Sequence, residues 1–68
     1  MDVTLNGKKL DVKDGVTLGA LLRQHDISDG TDGVAVAVND AVVPKRQWGE
    51  LHLREGDAVE VIHAVQGG

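Results

Sequence analysis

The residues of this chain whose types best suit chemistry stand at its C-terminal end, in the sequence HAVQGG at positions 63–68. Because the last two residues are glycines, the reactive group there would be the α-carboxylate of Gly68. A carboxylate is a poor electrophile and must first be activated, for which an acyl-adenylate formed from ATP is a general solution. The sequence matches neither the phosphate-loop nor the dinucleotide-binding spacing. We therefore expect a partner enzyme to use the ATP, and this chain to bind no cofactor.

The last three residues, Gln66, Gly67 and Gly68, suit a tail that enters a narrow channel. They follow a predicted strand, and three residues extend about 10 Å at roughly 3.3–3.6 Å each. Glycine also lets a backbone approach another surface closely. We interpret residues 1–65 as a folded domain and residues 66–68 as a flexible tail held out to a partner. The alternative is an inert terminus, because chain ends are often disordered.

Other candidate groups are not predicted to form a site. His25, His52 and His63 lie on different predicted elements and lack the spacing of a metal-binding pair, so we expect no metal site. Glu55 and Asp57 flank a glycine in a predicted turn, where aspartate is favoured for its turn geometry. We therefore expect a carrier protein on which enzymes act, rather than an enzyme.

Trp48 is the only aromatic residue of the chain. Tryptophan is enriched in interface hot spots, so Trp48 could contact a partner. The core, however, has no other large aromatic side chain, and one end of it would be left open. We favour a position for Trp48 in the core.

Length and charge narrow the function classes further. A chain of 68 residues forms one domain that buries only about 60% of its unfolded surface, which leaves no room for a deep catalytic pocket. The net charge of −4 and the scattered basic residues argue against a nucleic-acid partner. The sequence has no cysteine, no signal-peptide pattern and no apolar run long enough to span a membrane. We expect a cytoplasmic protein without a membrane partner.

Sequence periodicity predicts the elements that must hold the tail. Two alternating segments, DVTL and KKLDV, flank Asn6-Gly7 and predict a hairpin with a type I′ turn. Thr17 is a predicted helix N-cap, and Leu18, Leu21 and Leu22 form the apolar stripe of the helix that follows.

The second half of the chain predicts further strands. VAVAV at 34–38 would direct its valines toward the helix, AVVP would return after a turn at Asn39-Asp40, and AVEVIHAV would be the last strand. The predicted order is β-β-α-β-β-β, an α+β fold with one helix across one face of a small mixed sheet. We expect a flat apolar patch on the outer face to dock a partner, formed by Ala35, Ala37, Ile62 and Ala64.

These segments resemble a known family. VAVAVNDAVVPKRQW, the REGD turn before the last strand and the terminal Gly-Gly are similar to the sulfur carrier proteins of thiazole biosynthesis, the ThiS family. The resemblance implies the β-grasp fold shared with ubiquitin, and adenylation of Gly68 by a ThiF-like adenylyltransferase. It also implies conversion to a thiocarboxylate, with sulfur supplied ultimately by a cysteine desulfurase and taken by thiazole synthase in thiamin biosynthesis. Gly56 and Asp57 match the family's turn and are expected to be structural.

The chain departs from the family pattern at three places. Asp40 stands where the family often has glycine, Lys45 precedes Arg46 where an arginine commonly follows the proline, and the SDGTDG loop is longer. Other functions stay open: a sulfur carrier for molybdopterin or cysteine synthesis, a ubiquitin-like protein modifier, or a binding domain with an inert tail.

Overall fold

The computed structural model describes residues 1–25, 27 and 33–63. Its elements, in chain order, are β1 (Asp2–Leu5), β2 (Lys8–Asp11), α1 (Leu18–Gln24), β3 (Val34–Val38), β4 (Ala41–Val42), a 3₁₀ helix (Lys45–Gln47) and β5 (Ala58–His63). The predicted order of strands and helix is confirmed. The predicted return strand AVVP is shorter than expected, because only its first two residues pair with β3.

Two hairpins with two-residue turns join the antiparallel strand pairs β1–β2 and β3–β4. Asn6 and Gly7 join β1 to β2 with φ values of 52° and 84°, as a type I′ turn requires. Asn39 and Asp40 join β3 to β4 with φ values of 51° and 69°. Asp40 therefore occupies the left-handed region, and aspartate is one of the few residues besides glycine that adopt this conformation.

The strands form one mixed sheet in the order β2-β1-β5-β3-β4. The last strand, β5, lies in the centre, parallel to β1 on one side and antiparallel to β3 on the other. This arrangement is possible because α1 carries the chain from one half of the sheet to the other, a crossover that needs a dozen residues or more. The central position of β5 means that the chain reaches its C-terminal segment from the middle of the sheet.

The helix covers the inner face of this sheet. The Thr17 hydroxyl accepts a hydrogen bond from the Ala20 N–H at 3.2 Å, so Thr17 is the N-cap that the sequence predicted. The leucines at i, i+3 and i+4 of α1 are fully buried against the sheet valines. The buried cluster of the described chain consists of Val3, Leu18, Leu21, Leu22, Val36, Trp48, Leu53, Val59 and Val61.

Trp48 belongs to this core, as the sequence predicted. Its side chain is 3% exposed, and its indole Nε1 donates a hydrogen bond to the Val43 carbonyl oxygen at 2.9 Å. A buried indole N–H needs such a partner, because leaving it without one would cost the desolvation of the group. Trp48 therefore anchors the irregular segment between β4 and β5 rather than presenting itself to a partner.

Candidate functional site

The predicted reactive tail lies beyond the part of the chain that the structure describes. Gln66, Gly67, Gly68 and the docking residue Ala64 are outside that part, which ends at His63 on β5. The strand that leads to the tail and the surface around that strand are formed by described residues.

β5 pairs with β3 over more residues than it pairs with β1. Toward β3, the paired residues continue to the last residue of the strand, where His63 lies opposite Val34. Toward β1, the paired strand residues stop at Leu5 and Val59, because the chain turns away after Leu5 into the first hairpin. Without another contact, the second half of β5 would lack hydrogen bonds on the β1 side.

Asn6 supplies that contact. Continued by one residue beyond Leu5 and Val59, the register places Asn6 opposite Glu60, and the Asn6 backbone N–H donates to the Val59 carbonyl oxygen at 2.8 Å. In a parallel ladder the Val61 N–H would next donate to the backbone carbonyl of Asn6. Instead it donates to the side-chain Oδ1 of Asn6, also at 2.8 Å. The side-chain oxygen thus takes the place of the backbone carbonyl as the acceptor, and the ladder extends to Val61.

Asn39 makes the equivalent contact from the other hairpin. Its backbone N–H donates to the Ala58 carbonyl oxygen at 2.8 Å, and the Ala58 N–H donates to Asn39 Oδ1 at 2.9 Å. The first residue of each hairpin turn therefore binds β5 through both its backbone and its side-chain oxygen. Asn39 does so at the first residue of the strand, and Asn6 does so near its C-terminal end.

The carboxylates that could be mistaken for an acid–base pair serve the turn before β5. The Asp57 carboxylate accepts from Asn39 Nδ2 at 3.0 Å and from the Arg54 N–H at 2.8 Å. The Glu55 carboxylate accepts from the Asp2 N–H at 3.0 Å. Gly56 between them has a φ of 85°, which favours glycine. These contacts agree with the structural role expected of Gly56 and Asp57.

The outer face of the sheet carries exposed aliphatic side chains. Ala35 lies opposite Ile62, and Ala37 lies between Glu60 on β5 and Val42 on β4. Ile62 is 52% exposed and Val42 is 70% exposed. We call Ala35, Val42 and Ile62 the outer patch.

Two details of this patch differ from the sequence prediction. Ala37 was expected to be exposed but is only 7% exposed, because its small methyl group has a larger residue beside it on each side, Val42 on β4 and Glu60 on β5. Val42 was not predicted as part of the patch. Counting back through the two-residue turn at Asn39-Asp40 would have placed Val42 opposite Ala37 and on the same face.

His25 and His52 lie at different places in the described chain. His25 is the C-cap of α1, whereas His52 pairs with Thr17 in an isolated antiparallel bridge, and its Nδ1 lies 2.8 Å from the Gly15 carbonyl oxygen. Over residues 1–25, 27 and 33–63, no three His, Cys, Asp or Glu residues are arranged to hold a metal ion.

A groove of about 610 Å³ lies between α1 and the 3₁₀ helix. Its described lining consists of Gly19, Arg23, Ile27, Lys45, Arg46, Trp48 and Gly49. The ionisable side chains among these residues are those of Arg23, Lys45 and Arg46, so the described lining is cationic and contains no carboxylate, imidazole or hydroxyl. In the portion of the chain covered by the structure, no helix is long and apolar enough to cross a membrane.

The sheet order, the one α-helix of the described residues and the central last strand define a ubiquitin-like β-grasp domain. The crystal structure of the thiamine biosynthesis protein ThiS from Geobacter metallireducens superposes with a TM-score of 0.83 over all of both chains, at 27% identity. The sequence pattern of the ThiS family matches residues 2–68, and the chain belongs to this family. The predicted fold and family are therefore confirmed.

Two curated relatives are similar over the whole chain. The sulfur carrier protein ThiS of Escherichia coli strain K12 is 29% identical over 68 residues and is covered completely. A thiazole synthase of Magnetococcus marinus is 37% identical over 68 residues, but the chain spans only 20% of that longer protein. Membership in a family that includes a named sulfur carrier confirms the prediction of a carrier rather than an enzyme.

Proposed function

We propose that this protein carries sulfur for thiazole formation in thiamin biosynthesis, with the α-carboxylate of Gly68 as the group that is modified. The observation that carries the proposal is the family match, which runs through residue 68 and therefore includes both terminal glycines. The thiamin pathway is favoured over other sulfur-transfer pathways because the Magnetococcus marinus relative that contains a similar segment is named a thiazole synthase.

The proposed chemistry is performed by partner enzymes. A carboxylate oxygen of Gly68 attacks the α-phosphorus of ATP, pyrophosphate leaves, and an acyl-adenylate forms on a ThiF-like adenylyltransferase. A persulfide sulfur, derived ultimately from cysteine by a desulfurase, then attacks the acyl carbon, and AMP leaves. A thiol reduces the resulting acyl disulfide to the thiocarboxylate and is itself oxidised to a disulfide. Thiazole synthase takes the sulfur, and an oxygen atom from its substrate or from water replaces it, which returns the terminal carboxylate.

The body of the domain would hold and present the tail. Its last described strand, β5, is bound on both sides, by β3 and by β1 together with Asn6. Residues 64–68 therefore start from the centre of the sheet rather than from an edge. A tail attached in this way begins at a defined place relative to any enzyme that binds the domain, which lowers the entropic cost of placing the carboxylate.

We assign docking of the adenylyltransferase to the outer patch. Ile62 lies on β5 only two residues before Ala64, so the patch is continuous with the segment that would enter the enzyme. Contiguous exposed aliphatic side chains on a small domain commonly mark an interaction surface. Ala37 contributes by being small and recessed, and the predicted contribution of Ala64 remains part of this proposal.

Intact-mass measurement tests the carrier role. The chain is incubated with ATP, a sulfur source and a ThiF-like adenylyltransferase that is active on the E. coli carrier. We expect a mass gain equal to the difference between one sulfur and one oxygen atom, and loss of that gain after thiazole synthase and its other substrates are added. A variant without Gly67 and Gly68 is the control and should not change.

The outcome of the same experiment separates the alternatives. No mass gain would contradict any carrier role and leave an inert tail. A mass gain that thiazole synthase cannot consume would point to another sulfur-transfer pathway. Adducts of this chain with lysine side chains of other proteins would indicate a modifier.

A further inference from the structure

The two hairpin turns differ in where they bind the central strand, and this difference suggests a role for one residue. We infer that Asn6 is a positioning residue for the C-terminal reagent, acting through Val61 on the direction in which the chain leaves β5. The inference rests on the proposed function, because it concerns delivery of Gly68 to the adenylyltransferase.

Asn6 accepts a hydrogen bond from β5 at a position that lies beyond the last residue of β1. β1 ends at Leu5, and its ladder with β5 would end at Val59. The Asn6 side chain carries the ladder on to Val61, which is two residues before the end of β5. The bond is partly buried, so water competes poorly for the Val61 N–H, and loss of the acceptor would leave this donor without its partner.

The effect on the tail follows from where it starts. A change of direction at Val61 shifts the starting point of the segment that leads to Gly68, and so lowers the fraction of time that the carboxylate spends in the reactive position. Reaction with ATP needs the carboxylate oxygen close to the phosphorus and in line, and errors of about 1 Å can cost on the order of 100-fold in rate. Freedom at Val61 would therefore lower the rate of adenylation, while pairing with Ala35 on β3 keeps Ile62 in the outer patch and the affinity for the enzyme changes little.

Asn39 provides a control within the same molecule. It has the same position in its turn, a nearly identical φ, and the same pair of bonds to β5. Its bonds are made at Ala58, before the part of the strand that leads to the tail. Loss of the Asn39 side chain should weaken the fold without redirecting residues 61–63.

The test uses three variants of the full chain. Asn6→Gly retains the left-handed turn but removes the acceptor oxygen, Asn6→Asp retains both, and Asn39→Gly is the matched control. Hydrogen exchange of the Val61 amide is measured by NMR at a temperature where all variants are folded. Steady-state adenylation, followed as pyrophosphate release, gives kcat and KM separately.

We expect Asn6→Gly to exchange the Val61 amide about tenfold faster and to lower kcat by about tenfold, with KM within about twofold. Asn6→Asp should recover most of kcat, and Asn39→Gly should keep the wild-type kcat. A wild-type kcat in Asn6→Gly would overturn the inference, as would an equal loss in Asn39→Gly or a failure of Asn6→Asp to restore the rate. If the wild type itself is not adenylated, the proposed function fails and the positioning role fails with it, while the exchange rates still report the Asn6–Val61 bond.

Discussion

Gly19 on α1 and Trp48 after the 3₁₀ helix lie in direct backbone contact. The Gly19 N–H donates to the Trp48 carbonyl oxygen at 2.8 Å, and a Cβ on Gly19 would lie only 3.3 Å from that oxygen. The carbonyl cannot move away easily, because the Trp48 side chain is fixed in the core. Glycine at position 19 therefore lets the helix approach the segment that closes the core.

This contact predicts that Gly19→Val destabilises the fold. The branched side chain would meet backbone atoms, and overpacking of this kind costs about 1–3 kcal/mol. The measurement is urea unfolding followed by Trp48 fluorescence.

Gly49→Ala is the matched control, since a Cβ there would have nothing within 4 Å. It should be neutral or stabilise by up to about 1 kcal/mol, because alanine restricts the unfolded chain. Equal stability of Gly19→Val and Gly49→Ala would contradict the proposed close approach.

Patterns among residues close together in the sequence were sufficient to predict much of this fold. The capping hydroxyl of Thr17 and the stripe of Leu18, Leu21 and Leu22 are set by spacing within one helix, so periodicity predicted them correctly. Asn6-Gly7 has the turn preference that specifies a hairpin on its own. Trp48 was assigned to the core because the chain offers no other aromatic side chain to fill it.

Contacts between distant residues were not predictable in the same way. The side-chain bond from Asn6 to Val61 joins residues 55 positions apart, and turn propensity explains Asn6 without it. The burial of Ala37 depends on which strands flank β3, and strand order does not follow from the periodicity of any one strand. Val42 is different, because counting back through the two-residue turn at Asn39-Asp40 gives its register with β3 and its place on the outer face.

The N-terminal ammonium group gives stability a pH dependence. Desolvation lowers its pKa, but the carboxylates of Asp14 and Asp11, each 3.5 Å from the nitrogen, outweigh this and raise the pKa above its usual 8.0. The folded state therefore favours the charged form. The resulting stabilisation is complete below pH 8.0 and is lost as the pH rises through the raised pKa of the folded state.

We expect the melting temperature to fall slightly as the pH rises from 7 toward the raised pKa of Met1. Asp14→Asn, which removes one of the two carboxylates, should show a smaller fall over the same range. Calorimetric scans of both proteins in matched ionic strength measure the difference. If the two proteins lose stability in parallel, the ion pair at Met1 is not the cause.

The proposed docking role of the outer patch predicts that a charged substitution there weakens binding to the adenylyltransferase. Val42→Asp puts a charge on a side chain that is 70% exposed, so the fold should be kept while the apolar contact with the adenylyltransferase is lost. The dissociation constant should rise by about tenfold or more, the range typical of a central interface residue. Ala37→Asp would be a poorer test, because Ala37 is buried and the charge would also affect folding.

Gln24→Asp is the control for that measurement. Gln24 is exposed on α1, on the opposite side of the sheet, and the substitution adds the same charge to the protein. Isothermal titration of the adenylyltransferase with each variant compares the two positions. Equal weakening by both substitutions would indicate a general charge effect and remove the outer patch from the interface.

The proposed reactivity of the C-terminal tail predicts specific effects of changes at Gly67 and Gly68. Deletion of Gly68 should abolish adenylation, and Gly67→Val should lower its rate strongly, because a branched side chain would obstruct a channel that admits a glycine backbone. Both variants should keep the wild-type melting temperature, since the core of the described chain is complete before residue 64.

Gln66→Ala is the control and should react at close to the wild-type rate. Adenylation of the deletion variant would show that the reactive carboxylate need not belong to Gly68, and full activity of Gly67→Val would show that no narrow channel surrounds the tail.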